Sequence, residues 1–136
     1  MTAIKKPETT PELDERLLAT PPIALNRCRE VASDMARTAA AALKESLLAL
    51  KAYSLKLDAP VREKEEKTDY YEDILSTYLV RLSACQISAA DSTEAAKLLK
   101  MIGDFERISD HAVNLLESAE EMIEKIEEQP GFEEGG

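Results

Sequence analysis

Apolar residues recur along this chain at intervals of three and four, the spacing that lines one face of an α-helix. The first run, Leu25, Cys28, Ala32, Met35, Ala39, Leu43, Leu47 and Leu50, predicts a helix over 21–57. Thr20 stands ahead of Pro21 and Pro22 as a cap, and proline in a first turn loses nothing because that N–H has no partner within the helix. The second run, Tyr71, Ile74, Leu75, Tyr78, Leu82 and Cys85, predicts a helix over 61–88 whose first turns are heavily charged. The third, Leu98, Ile102, Phe105, Ala112, Leu116 and Ala119, predicts a helix over 91–128.

The punctuation between the runs sets the topology. Pro60 disfavours helical geometry at Ala59, and Asp58 is placed to cap the second helix. Asp91 and Glu94, three apart, have the pattern of a capping box, and Pro130-Gly131 ends the third helix. Both joints are short, so helices adjacent in sequence are antiparallel neighbours. The expected fold is all-α, an antiparallel up-down-up three-helix bundle over 21–128. Residues 1–20, with Pro7, Pro11 and mixed charge, read as a linker whose Leu13, Leu17 and Leu18 tack its end onto the bundle. Residues 129–136 read as a disordered tail.

Composition narrows the class. The chain has 136 residues, enough for one domain with a core, and its lack of Trp, four Gly and two Phe suit long self-packed helices better than sheets. Its net charge of −10 repels nucleic acid and anionic lipid and attracts cations and basic partners. Nucleic acid is therefore excluded as a partner, and a membrane enters only indirectly. Cys28 and Cys85 are too few for a disulfide framework and are expected as buried free thiols in a reducing compartment. No apolar run reaches membrane-spanning length and no apolar signal region opens the chain, so a soluble domain is expected.

The candidate chemistry lies in carboxylates. Glu106 and Asp110 are four apart, which stacks them one turn above each other on the flank of the third apolar stripe. Glu65 and Asp69 repeat the spacing on the second helix, and Glu72 extends that face by another turn. In an antiparallel hairpin the two pairs reach nearly the same height. Two readings of this pattern stand side by side: solvated helix surface, or a seat for a hard or borderline cation such as Mg²⁺, Mn²⁺, Ca²⁺, iron or Zn²⁺. His111, the one histidine, is an ordinary polar residue or an additional ligand for zinc or iron. A ferritin-like site is ruled out because position 108, three before His111, is Ile rather than Glu. No nucleophile–base set and no Gly-rich phosphate loop is present, so an enzyme is the weakest reading.

The stretch Met101-Ile102-Gly103-Asp104-Phe105-Glu106-Arg107-Ile108-Ser109-Asp110-His111-Ala112-Val113-Asn114 resembles the signature helix of the PhoU family, with its Glu/Asp-x-x-x-Asp motif. Glu65 to Asp69, followed by Tyr78-Leu79-Val80-Arg81-Leu82-Ser83, is similar to the family's preceding motif-bearing helix. The lead-in from Leu13 to Leu25 is similar to the junction where bacterial sodium/phosphate cotransporters pass into a cytoplasmic C-terminal PhoU-like domain. The resemblance implies a non-catalytic regulatory domain of phosphate uptake, cytoplasmic and tethered to or associated with the inner face of the plasma membrane. It implies multinuclear iron or zinc bound by Glu65, Asp69, Glu106 and Asp110, with Asp104 a weaker match. It also implies a transporter membrane domain, or a phosphate-sensing kinase and transporter complex, as partner. Gly103 and Ser109 depart from the usual Asn and Gly without removing a carboxylate. Standalone family members carry two such bundles and this chain has room for one, so a full ligand set calls for a second copy. The rival expectation is a metal-free dimerisation or protein-interaction module that uses an exposed apolar stripe as its seam, as a homodimer would.

Overall fold

The computed structural model describes residues 13–52 and 56–127. Three helices, α1 (Pro21–Ala52), α2 (Asp58–Ser83) and α3 (Ala89–Glu127), pack mutually, preceded by a 3-10 helix at Glu15–Ala19. This is the expected all-α three-helix bundle. The first twelve residues, positions 53–55 near the expected end of the first helix, position 128 and the expected tail at 129–136 lie outside the described residues.

The buried positions repeat every seven residues. On α1 they run Leu25, Ala32, Ala39, Ser46 and Cys28, Met35, Ala42, Ala49; on α2, Val61, Thr68, Leu75, Leu82; on α3, Ala95, Ile102, Ser109, Leu116. A strict heptad keeps one seam facing the neighbours along the whole helix, whereas a 3.6-residue repeat drifts away. That periodicity overturns part of the first stripe. The buried face of α1 continues through Ala42, Ser46 and Ala49, while Leu47 is 49% exposed. Alanine and serine on the seam let the helices approach closely, and the leucines fall to its flank.

The core divides into two apolar clusters. One is built on Leu25, Met35, Tyr71, Leu79, Leu98 and Ile102, the other on Ala42, Ala49, Val61, Ala112 and Leu116. Between them, each helix contributes a small buried residue: Ala39 from α1, Thr68 from α2 and Ser109 from α3. Thr68 bonds the carbonyl of Lys64 at 2.7 Å within its own helix. Ser109 Oγ is buried without any hydrogen-bond partner.

Helix ends follow local chemistry more closely than the sequence pattern suggested. The amides of Ile23 and Ala24 both donate to the Thr20 carbonyl at 3.0 Å, opening α1 where expected. Asp58 is not the cap of α2: Leu57 holds that position without a side-chain bond, and Asp58 sits in the first turn against Arg62 at 3.2 Å. The cap of α3 comes earlier than Asp91. Ser88 Oγ accepts the Asp91 amide at 3.0 Å, and Glu94 is freed to pair with Arg29 of α1 at 3.3 Å. Helix α2 stops at Ser83, so Cys85 falls in the turn beyond it and is exposed, correcting the expectation of two buried thiols. Cys28 is buried, and burial pushes its thiol up to about 11, which keeps it protonated.

The end of the expected linker is ordered against the bundle. Asp14 caps the 3-10 helix by accepting the Arg16 amide at 2.9 Å, and Leu13, Leu17 and Leu18 pack on the first cluster. Tyr78 Oη donates to the Asp14 carbonyl at 2.8 Å, and Arg81 pairs with Glu15.

Candidate metal centre

The hairpin of α2 and α3 brings the two acidic pairs together. Glu65 and Asp69 bracket Thr68 on one side, and Glu106 and Asp110 bracket Ser109 on the other. Their flank position leaves Glu65, Asp69 and Glu106 partly buried and Asp110 exposed. Glu65, Asp69 and Asp110 each offer an oxygen within 4.8 Å of the others, whereas Glu106, the fourth expected ligand, stands outside that close group and near enough to feel the charges of Asp69 and Asp110. Coordination at 2.0–2.6 Å places opposite ligand oxygens about 4–5 Å apart, so this spacing suits a single cation.

The electrostatics are those of acids crowded without a base. Asp69 is raised to about 7, by burial first, then by the hydrogen bond it shares with Glu65 and by the charges of Glu65 and Asp110. Glu106 is likewise raised to about 7, by burial, by its hydrogen bond with Asp110, and by the charges of Asp110, Asp69 and Glu72. Asp69 and Glu106 therefore hold their protons to higher pH than ordinary carboxyls do.

The bases close in sequence are engaged elsewhere. Arg107 pairs with Asp104 at 2.9 Å, Lys64 with Glu45 of α1 at 2.9 Å, and Arg62 with Glu120 of α3 at 3.1 Å. Lys67 lies 5.8 Å from the Tyr71 ring centroid. Among the described residues no ion pair joins a base to Glu65, Asp69, Glu106 or Asp110. The clamps at Arg62 and Lys64 fix the register of α2 against its neighbours, and with it the height at which the two motifs meet.

The other sequence candidates fall differently. Glu72 lies near enough to raise Glu106 but outside the close group of three. Asp104 is held between Lys100 at 3.2 Å and Arg107, and His111 is exposed and outside the group. Sequence reasoning did not foresee the layer of small buried residues beneath the acids, Ala39 with the polar Thr68 and Ser109. Its signal was the heptad spacing itself, which puts Thr68 and Ser109 in register with Leu75 and Ile102.

The described residues thus form an all-helical three-helix bundle with acidic motifs facing each other across one hairpin. The chain belongs to the PhoU family: the model described as PhoU domain matches residues 32–119, well over half of the chain. Neither a curated protein nor a solved structure matches it. The matched span contains both acidic motifs, and membership points to a regulatory role in phosphate homeostasis. No helix among the described residues is long and apolar enough to cross a membrane.

Proposed function

We propose that this chain is a cytoplasmic, non-catalytic regulatory domain of phosphate uptake that senses a metal ion through Glu65, Asp69, Glu106 and Asp110. The observation that carries the reading is the group of Glu65, Asp69 and Asp110, from two helices, with oxygens within 4.8 Å and no base among them, and Glu106 beside it. An all-oxygen donor set with borderline-to-hard character suits iron, and carboxylates also serve zinc. A bound cation supplies positive charge where the chain places only negative charge. The chain's own contribution is to hold Glu65 and Asp69 on α2 opposite Glu106 and Asp110 on α3, and to release protons held by Asp69 and Glu106 as the site fills. Without a cation, repulsion across the hairpin opposes the closest approach of α2 and α3; with one, that approach is favoured. Linkage of this kind is worth about 2.7 kcal/mol at a ligand concentration of 100 times Kd.

The similarity of the Leu13–Leu25 stretch to a cotransporter junction supports a place beside a sodium/phosphate transporter, either its membrane domain or a transporter and sensor-kinase complex. Metal content of untagged protein purified without chelator tests the core of the proposal. Wild type is expected to carry iron or zinc in stoichiometric amount, and Asp69→Asn/Asp110→Asn to lose it. Equal metal content in the two proteins, or none in either after reconstitution, would overturn it.

A further inference from the structure

The flank of α3 turned away from the acidic site carries a second seven-residue row, Met101, Ile108, Leu115 and Met122, about 32 Å long at 1.5 Å per residue. Met101 is 44% exposed and Met122 37%, and the residues between them are partly buried. Across from this row, α1 presents the matching rows Ser33, Ala40, Leu47 and Ala36, Leu43, Leu50. Near their start the two helices enclose an apolar groove of about 440 Å³, whose walls include Ala36, Leu98, Met101 and Phe105 and whose rim carries Arg29 and Lys97, both paired with Glu94, so the unpaired positive charge lies further along α1. Because the core itself repeats every seven residues, rows with the same period stay beside that groove along the bundle.

The charge beside it is opposite to that of the molecule. Helix α1 holds five bases against three acids, whereas α2 and α3 are both acidic. Arg37, Lys44 and Lys51 form a seven-residue row next to Leu47. Lys44 and Lys51 have no ion-pair partner among the described residues, and the one acid between Met35 and Ala52, Glu45, is drawn to Lys64 of α2.

We propose that the groove between α1 and α3 is a docking site for an acidic amphipathic helix of a partner protein, seated on the Met101–Met122 row with its acids against Lys44 and Lys51. An apolar strip with methionines at its ends adapts to a partner helix, and the unpaired lysines select the sign of its flanks. A second copy of this chain is a poorer occupant. Pairing like faces would bring two basic α1 rows together, and the rest of the surface carries the net charge of −10 that also opposes an anionic bilayer.

The probe is a fluorescent leucine-heptad helical peptide of about 21 residues with glutamate flanks, compared with its counterpart carrying lysine flanks. By anisotropy the acidic peptide is expected to bind at least about tenfold more tightly, with the preference shrinking as salt rises. Lys44→Glu/Lys51→Glu should reverse the preference, and Leu47→Ser/Met101→Ser should weaken both peptides by about tenfold; all four positions are exposed, and circular dichroism verifies the fold. Equal binding of the two peptides, or none up to about 1 mM, would overturn the proposal. So would sedimentation showing a dimer that Leu47→Ser/Met101→Ser dissociates, or cosedimentation with phosphatidylglycerol vesicles that is lost in Lys44→Glu/Lys51→Glu without any peptide binding.

Discussion

Ser109 occupies a heptad core position, fully buried, with an unpartnered hydroxyl, one residue before the exposed carboxylate of Asp110. An unsatisfied buried hydroxyl costs about 1–3 kcal/mol, so Ser109→Ala is expected to stabilise the domain by about 1 kcal/mol, or roughly 4 °C in Tm. Thermal denaturation followed by circular dichroism decides it, and an unchanged or lower Tm would contradict the account of the polar layer. Asp69 poses the opposite question, since its carboxyl is held among other carboxyls. Without metal at pH 7.5, Asp69→Asn should raise Tm by removing a charge from the crowd. Titrating iron or zinc should then raise the Tm of wild type and leave that of Asp69→Asn unmoved. This crossing of the two curves separates a binding site from a merely strained surface. At this scale the candidate site was legible in the sequence, because i,i+4 spacing fixes carboxylates to one helix face whatever surrounds it. The diversion of Arg62, Lys64 and Arg107 to other acids was not legible, since each could have reached either motif.

Among the elements, α3 is the longest and carries Gly103 in its interior. A methyl group there would meet Arg107 Nη2 at 3.9 Å, an ordinary contact. Gly103→Ala should therefore stabilise by about 0.5–1 kcal/mol through helix propensity alone. Ser88→Ala should lower stability by about 1 kcal/mol, because the Asp91 amide loses its cap. Urea denaturation of the two variants beside Glu94→Ala checks this. If Glu94→Ala cost more than Ser88→Ala, the capping role would belong to the Asp91–Glu94 box after all. The three helices and their order were readable because long amphipathic runs carry their own period. Their ends were less so: several polar residues near each joint are competent caps, and which one serves depends on where the neighbouring helix pins the chain. Arg29 drawing Glu94 away from the end of α3 is the clearest case.

Over the whole molecule, protonation and folding are linked through the acidic centre. Asp69 and Glu106 have folded-state values of about 7, above their ordinary 3.8 and 4.5, so the folded chain binds more protons than the unfolded chain between about pH 4 and 7. Stability from this source is fully present below the ordinary values and is lost as pH rises through 7. The metal-free domain should accordingly melt at a lower temperature at pH 7.5 than at pH 5.5. Asp69→Asn/Glu106→Gln should flatten that slope, which a pH series of melting curves measures. Metal affinity should run the other way and rise through the same window as Asp69 and Glu106 lose their protons. Moderate salt should stabilise the metal-free chain by screening its net charge of −10.

By itself the sequence determined the helical class, the up-down-up order and the pairing of the two acidic motifs, because each follows from periodicity, short joints and spacing along one chain. Only the tertiary structure decided where the buried face of α1 runs beyond Ala39. The seam follows a seven-residue repeat imposed by three helices packing together, and that repeat buries Ala42, Ser46 and Ala49 while leaving Leu47 and Met101 at the surface. It also decided that the acids meet without a base, since ion pairs between helices depend on register, and register is a property of the packed bundle rather than of any one helix.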